Sequence, residues 1–325
     1  MNRIPDVYNL VKNNAYLDTD LSKYLKGTNH LKKQNAPELR KALWPVDWNK
    51  LTEKIRNQSI YKNYHSWKLV AYIVKSNDDI RQEKIVSQLI SILNEIFQTA
   101  NLPLKIINSD ILVFNNNCGL IQYFENTQSF DALKQKLKVT SIAEVFNLAF
   151  ADTIQEARTS FILSHAAYSL LSYLCAVKDR HNGNILLTKS GSVIHIDYSY
   201  IFYSSPGFVN FETAPFKLTS EILDVMGGVN SAGFDLFKEL IFKGFVEMRK
   251  NAQHLLLMVK MMLGLEKLSC FNHSPATVIK LMEKRLFLNQ TTECLSNIDL
   301  LIKNSILNWR SSQYDNYQWF TNGIL

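Results

Sequence analysis

Cysteine is sparse in this 325-residue chain. Cys118, Cys175, Cys270 and Cys294 stand far apart with no CxxC pair, so neither a zinc site nor a disulfide framework is indicated, and a reducing compartment is expected. No apolar run approaches the ~18 residues of a spanning helix, and the polar N-terminus has no signal-peptide core. A soluble chain is therefore expected, with any membrane contact peripheral. Internal repeats and low-complexity tracts are lacking. Glycine is scarce too, at 11 residues, against a typical ~7%.

What is present reads as globular. Hydrophobic residues make up 46% and charged residues 20%, and a chain of this length can bury a large core in about two lobes. The net charge of +7 is uneven, because residues 1–60 hold 11 Lys/Arg against 6 Asp/Glu. Such a segment can meet anionic lipid or nucleic acid, or form a solvated helical face.

Residues 1–45 read as a basic helical segment with a break at Pro45. The run Trp67–Lys75 is rich in β-branched and aromatic residues and predicts a strand. Asn77-Asp78 can cap the helix that follows, where Val86, Leu89, Leu93 and Ile96 recur at helical spacing. A second strand is expected at Asp110–Phe114, then a connector containing Gly119. Residues 46–124 thus form a small β-bearing lobe and hinge, and residues 125–325 a larger helical lobe: an α+β, bilobal fold. Within the second lobe a long apolar helix spans 156–178. A hairpin follows, Ile185–Leu187 and Val193–Ile196, turning at Lys189-Ser190-Gly191. Phe237, Leu240, Ile241, Phe245 and Met248 mark another helix, and Ile298, Ile302, Ile306 and Trp309 a tail helix.

The densest chemistry is Asp179-Arg180-His181-Asn182-Gly183-Asn184, followed thirteen residues later by Asp197 in His195-Ile196-Asp197. An acid, an amide five residues on and a second acid beyond it is the spacing with which protein kinases surround ATP and its metals. Asp197, at a strand end, suits a metal bridging the phosphates, and Asn184 offers an amide oxygen to a second metal. Asp179 or His181 would take or guide the proton of the attacking hydroxyl; Arg180 belongs to the same block, and His195 would assist developing charge. Lys75, at a strand end eight residues before Glu83, is placed to contact phosphate and pair with that acid.

The order Asp-Arg-His, with a His two residues before the distal Asp, resembles the phosphatidylinositol kinases and their large protein-kinase relatives. Val74–Glu83, Val177–Leu187, Pro215–Thr219, Asp224–Gly228 and Phe320–Leu325 are similar to stretches of the type III phosphatidylinositol 4-kinases, the last to the beta type. The resemblance covers about residues 46–325. It implies a two-lobed lipid kinase using ATP with Mg²⁺ or Mn²⁺ to phosphorylate phosphatidylinositol at the 4-hydroxyl. It further implies a hinge at Ile121, Gln122 and Tyr123 that meets adenine through its backbone, between apolar walls at Ile73 and Ile196. By the same resemblance the chain works in the cytoplasm on Golgi-like membranes, recruited by adaptor proteins or small GTPases, with no nucleic-acid partner.

The substrate segment is expected at Tyr198, Ser199, Phe216 and Lys217. Tyr198–Phe216 holds no Lys or Arg and only one acid, Glu212, which fits a headgroup carrying a single phosphate, with Lys217 as the cation at its end. Trp309, Tyr317, Trp319, Phe320 and Ile324, near Lys303 and Arg310, suit an interfacial lipid contact or core packing against the helical lobe, and mixed use is expected. Three departures from the family pattern stand out. Asp197-Tyr198-Ser199 replaces Asp-Phe-Gly, the phosphate-covering stretch around Asn57–Ser66 lacks glycine, and Gln122 replaces the hinge acid. The chain also reads as a minimal version without long accessory regions. A nucleotide-binding scaffold without catalysis, motivated by Ser199, and a protein kinase of the related giant family are the other readings.

Overall fold

A computed structural model describes residues 30–202, 204–206, 213–262, 268, 270, 275–288 and 294–325. The helical character expected for residues 1–29, and Phe211 and Glu212 of the substrate segment, lie outside these.

The small lobe is built on α3 (Arg81–Thr99) and an antiparallel sheet of β1 (Tyr72–Ser76), β2 (Ile111–Asn115) and β3 (Cys118–Gln122), in the order β1-β3-β2. The register sets Ile73 opposite Ile121 and Lys75 opposite Gly119. The expected connector is therefore largely a strand. Gly119 permits it: a Cβ there would lie 2.3 Å from Ile80 Cδ1 and 2.5 Å from the Leu112 carbonyl oxygen. Of the expected Trp67–Lys75 strand only Tyr72–Lys75 lies in the sheet, and β1 runs one residue further to Ser76. The segment expected to cover phosphate closes α2 (Trp48–Gln58) and continues in turns, with Ile60, Tyr61 and Tyr64 exposed. Helix α3 packs Ile85, Val86, Leu89, Leu93 and Ile96 inward, as its spacing predicts. Its N-cap is Ile80, not Asn77 or Asp78.

In the larger lobe a second antiparallel sheet, β4 (Thr127–Ser129), β5 (Ile185–Thr188) and β6 (Val193–His195), runs in sequence order. Gly191 turns the β5–β6 hairpin at φ 92°, where a side chain would be strained. Helix α4 (Phe130–Leu137), α5 (Ile142–Ala149) and the long α6 (Ile154–Cys175) follow β4. From Ser164 to Cys175 every residue of α6 is buried, so it forms the axis of the lobe. It is flanked by α7 (Ser220–Met226) and α8 (Ala232–Lys250), with α9 (Ala252–Met262) and α10 (Pro275–Arg285) beyond.

Helix α1 (Ala36–Leu43) buries Leu39 and Leu43 against the same core. Its Arg40 donates to both oxygens of Asp152 and to the Ala149 carbonyl, so this stretch of the basic segment is a packed piece of the larger lobe. The tail is two helices where one was expected, α11 (Cys294–Ser305) and α12 (Trp309–Asn322). Leu307 N–H bonds the Leu218 carbonyl at 3.1 Å and takes φ 46°, so the chain leaves the helix, and Asn308 caps the next one through Arg310 N–H.

Candidate active site

A cleft of about 500 Å³ opens between the lobes, within the usual range for small-ligand sites. Ile73 and Lys75 of β1 form its roof, Ile121–Tyr123 its edge, and Asn184, Ile196 and Asp197 its floor, with Glu83 and His195 behind. Asp179, Arg180, His181, Ser199, Phe216 and Lys217 do not line it.

Helix α6 ends at Ala176 with φ 50°, and Asp179 and Asp197 also take left-handed φ values of 63° and 62°. Aspartate tolerates this region better than most residues. The Asn184 amide nitrogen donates to the Asp179 carbonyl at 3.0 Å and lies 3.4 Å from its Oδ2, which orients the amide and reserves its oxygen for another partner. Among the described residues Asp197 accepts through Oδ1 only, from the Ser199 hydroxyl at 2.6 Å and the Ser199 amide at 3.2 Å. Burial would raise the Asp197 pKa. The Ser199 bonds, with Arg180 and Lys75 nearby, outweigh it and hold the carboxyl below its ordinary value. An ionised Asp197 with Oδ2 uncommitted, beside an oriented amide oxygen, is a hard oxygen pair suited to Mg²⁺ or Mn²⁺, which take their remaining ligands from water and phosphate.

Arg180 is 3% exposed and works on backbone. It donates to the carbonyls of Lys178 at 3.0 Å, Ile196 at 2.7 Å and Asp197, and its guanidinium lies 5.6 Å from the Tyr198 ring centre. It ties the two acid-bearing loops together through these carbonyls, whereas a catalytic role was expected of it. His181 Nδ1 accepts the Gly183 amide at 3.1 Å, which places the proton of the neutral ring on Nε2, 3.7 Å from Asp179 Oδ1. Burial lowers the His181 pKa although Asp179 opposes. His195 is buried against Tyr168, ring centres 4.7 Å apart, with neither ring nitrogen hydrogen-bonded to a described residue. Burial, then the charge of Arg180, drives its pKa well below the ordinary value, so it faces the cleft neutral.

Lys75 and Glu83 do not pair. Lys75 Nζ sits 3.5 Å from Asp78, and Glu83 Oε1 accepts the Tyr198 amide at 2.7 Å. Burial, with the Asp197 charge adding, pushes Glu83 up to about 7 from an ordinary 4.5. A raised carboxyl contributes stability that is complete below pH ~4.5 and is lost as pH rises through ~7. Glu83→Gln should therefore stabilise the protein at pH 8 relative to pH 5 by about 3 kcal/mol, at ~1.36 kcal/mol per pKa unit. Urea unfolding at the two pH values checks it, and an equal effect at both would contradict the assignment.

The hinge amides are also engaged. Gln122 N–H bonds the Asp110 carbonyl at 2.8 Å and Tyr123 N–H the Ala71 carbonyl at 2.9 Å. These two backbone N–H groups are thus used inside the lobe, and the lining continues to Phe124. Phe216 and Lys217 are buried at 4% and 5% exposure. Lys217 Nζ donates to Asp315 at 2.7 Å and Asn182 at 3.1 Å. It cross-links the tail helix to the Asp179–Asn184 loop, so its charge is paired in the interior where a cation open to a headgroup was expected. An ammonium buried this deeply is held by such pairing.

One contributor was not anticipated. Tyr314 of α12 donates to Asp179 Oδ1, Gln318 Nε2 lies 3.5 Å from the same oxygen, and Asn322 donates to Gln318 at 2.6 Å. The signal was in the sequence as polar residues at i, i+4 and i+8 on an aromatic helix, of which Tyr314 and Gln318 are buried and Asn322 is exposed. Trp309 and Phe320 of the same helix point outward, 59% and 70% exposed.

Residues 69–270 match the model of the phosphatidylinositol 3- and 4-kinase family. The chain is 42% identical over 287 residues to phosphatidylinositol 4-kinase beta 1 of Arabidopsis thaliana, covering 86% of this chain and 25% of that protein. It is 38% identical over 283 residues to a phosphatidylinositol 4-kinase of Dictyostelium discoideum, covering 85% and 24%. To phosphatidylinositol 4-kinase beta of Xenopus laevis it is 35% identical over 282 residues, covering 86% and 35%. The chain thus spans about a quarter to a third of the length of these curated relatives.

Proposed function

Because the chain belongs to the phosphatidylinositol 3- and 4-kinase family, we propose that it transfers the γ-phosphoryl group of ATP to the 4-hydroxyl of phosphatidylinositol at a membrane surface. The observation that carries this reading is the cleft floor, where Asp197 keeps Oδ2 uncommitted beside an Asn184 amide whose oxygen is turned free by Asp179. Asn184 and Asp197 would hold Mg²⁺ or Mn²⁺, which when bound neutralises charge on the phosphates.

The chain's own groups divide the remaining work. Lys75 on the roof meets phosphate; its charge already reaches Asp197 and Glu83 across the cleft. With Nδ1 accepting from Gly183, neutral His181 offers a proton at Nε2, so it serves as a donor to charge on the transferring group. Asp179 is then the acceptor for the inositol hydroxyl proton, held in place by Tyr314 and Asn184. Neutral His195 at the rear can donate or accept a hydrogen bond without adding charge.

No helix among the described residues is long and apolar enough to cross a membrane. The outward Trp309 and Phe320, with Leu307 at 55% exposure and Arg310 stacked on Trp309 at 5.2 Å, form an amphipathic edge suited to the interface. Adaptor proteins or small GTPases and a Golgi-like membrane complete the reading.

The test is radiolabelled ATP with phosphatidylinositol vesicles, with the labelled inositol position assigned. Label at the 4-position is expected, and none on a peptide acceptor. Absence of transfer with nucleotide binding retained would leave a scaffold, and label on the peptide would leave a protein kinase.

A further inference from the structure

Position 199 carries a serine, and its hydroxyl is not idle. Ser199 Oγ donates to Asp197 Oδ1 at 2.6 Å and its amide donates to the same oxygen at 3.2 Å. The chain doubles back at Asp197, φ 62°, so that residue 199 sits over the carboxylate. Ser199 itself is not among the residues with positive φ, so it takes this place without glycine's freedom. The arrangement is anchored from α3: Gln82 Nε2 donates to the Ser199 carbonyl at 3.2 Å and Glu83 accepts the Tyr198 amide at 2.7 Å. Tyr198 OH bonds the His195 carbonyl at 3.1 Å on the other side. Backbone and side chain of the Asp197-Tyr198-Ser199 turn are thus pinned by these five bonds, and Arg180 holds the Asp197 carbonyl as a sixth.

We propose that Ser199 is a positioning residue that selects the metal, by saturating Asp197 Oδ1 so that the carboxylate meets a divalent cation through Oδ2 alone. The inference rests on the reading of Asp197 as a metal ligand. A carboxylate with both oxygens open can bind in bidentate fashion, which suits Ca²⁺ with its 6–8 oxygens at ~2.3–2.6 Å. Mg²⁺ demands an octahedron at ~2.0–2.1 Å, and Mn²⁺ likewise favours six oxygens. One-oxygen binding fits that octahedron and withholds the second contact that Ca²⁺ would use. Fixing the carboxylate orientation also removes rotamer freedom that the cation would otherwise have to restrict.

The experiment measures Mn²⁺ binding by its free-ion paramagnetic resonance signal, and Ca²⁺ binding by competition, on the chain carrying one equivalent of a non-hydrolysable ATP analogue. Wild type should favour Mn²⁺. In S199A the ratio of the Ca²⁺ to the Mn²⁺ dissociation constant should fall about tenfold, the lower end of what loss of an outer-shell partner costs. S199T, which keeps the hydroxyl, should restore the ratio. S199G removes the hydroxyl while leaving the backbone free, and should match S199A. A ratio unchanged in S199A and S199G overturns the role of Ser199 and leaves the kinase reading standing. A wild type that takes up neither cation with the analogue bound overturns both.

Discussion

Asp197→Asn should lower phosphoryl transfer by about 10³-fold or more while leaving the fold intact. The size follows from the several kcal/mol a bound metal contributes to neutralising the transition state, with each 1.36 kcal/mol worth about tenfold in rate. The choice of Asn over Ala follows from the backbone. Asp197 takes φ 62°, a region Asn tolerates and Ala resists, so Ala would mix strain with loss of the ligand. Asn also keeps an Oδ1 to accept the Ser199 hydroxyl and amide, and the Asp197 carbonyl that Arg180 holds is untouched. Transfer within tenfold of wild type, with the metal-free unfolding midpoint unchanged, would remove Asp197 from the role assigned to it.

Arg180→Ala should destabilise the protein by about 3 kcal/mol or more in urea unfolding. Its guanidinium satisfies the carbonyls of Lys178, Ile196 and Asp197 from a 3% exposed position. Each buried acceptor left without a donor costs ~1–3 kcal/mol. The cation also helps to hold Asp197 below its ordinary pKa and opposes the rise at Glu83, so its loss leaves two buried acids less compensated. Arg180→Lys should recover little, because three donations in different directions need a planar fork and a single ammonium on a flexible stem cannot supply it. A loss below ~1 kcal/mol would mean that the loops are held otherwise.

The elements legible in advance were those whose information is local. The β5–β6 hairpin turns where Gly191 predicts, and α8 contains Phe237, Leu240, Ile241, Phe245 and Met248 at the expected spacing. Asn184 and Asp197 reach one cleft floor because β5 and β6 are adjacent strands, with Ile185 opposite His195. Where the reading missed, the missing fact was a distant partner. β3 looked like a connector because its single glycine reads as a break. Its reason is the approach of Ile80 and Leu112. Lys217 looked like a free cation because Asp315, 98 residues away in the chain, carries the compensating charge. Tyr314, 135 residues beyond Asp179, was counted among no site residues at all.

The sequence by itself determined the two-lobed α+β plan and the order of acid, amide and acid. It also determined that the residue following Asp197-Tyr198 is a serine. Those follow from spacing along a strand–turn–strand unit and from hydrophobic period, which are properties of neighbours. Only the tertiary structure decided which of the charged groups are free to meet a ligand. Arg180 and Lys217 are committed to carbonyls and to Asp315, Glu83 to the Tyr198 amide, and Asp179 to Tyr314. Asp197 lines the cleft and, among the described residues, accepts through Oδ1 alone. The reason is that a buried charge must be paired wherever the fold brings a partner, and local spacing does not say which residue a hundred positions away that partner will be.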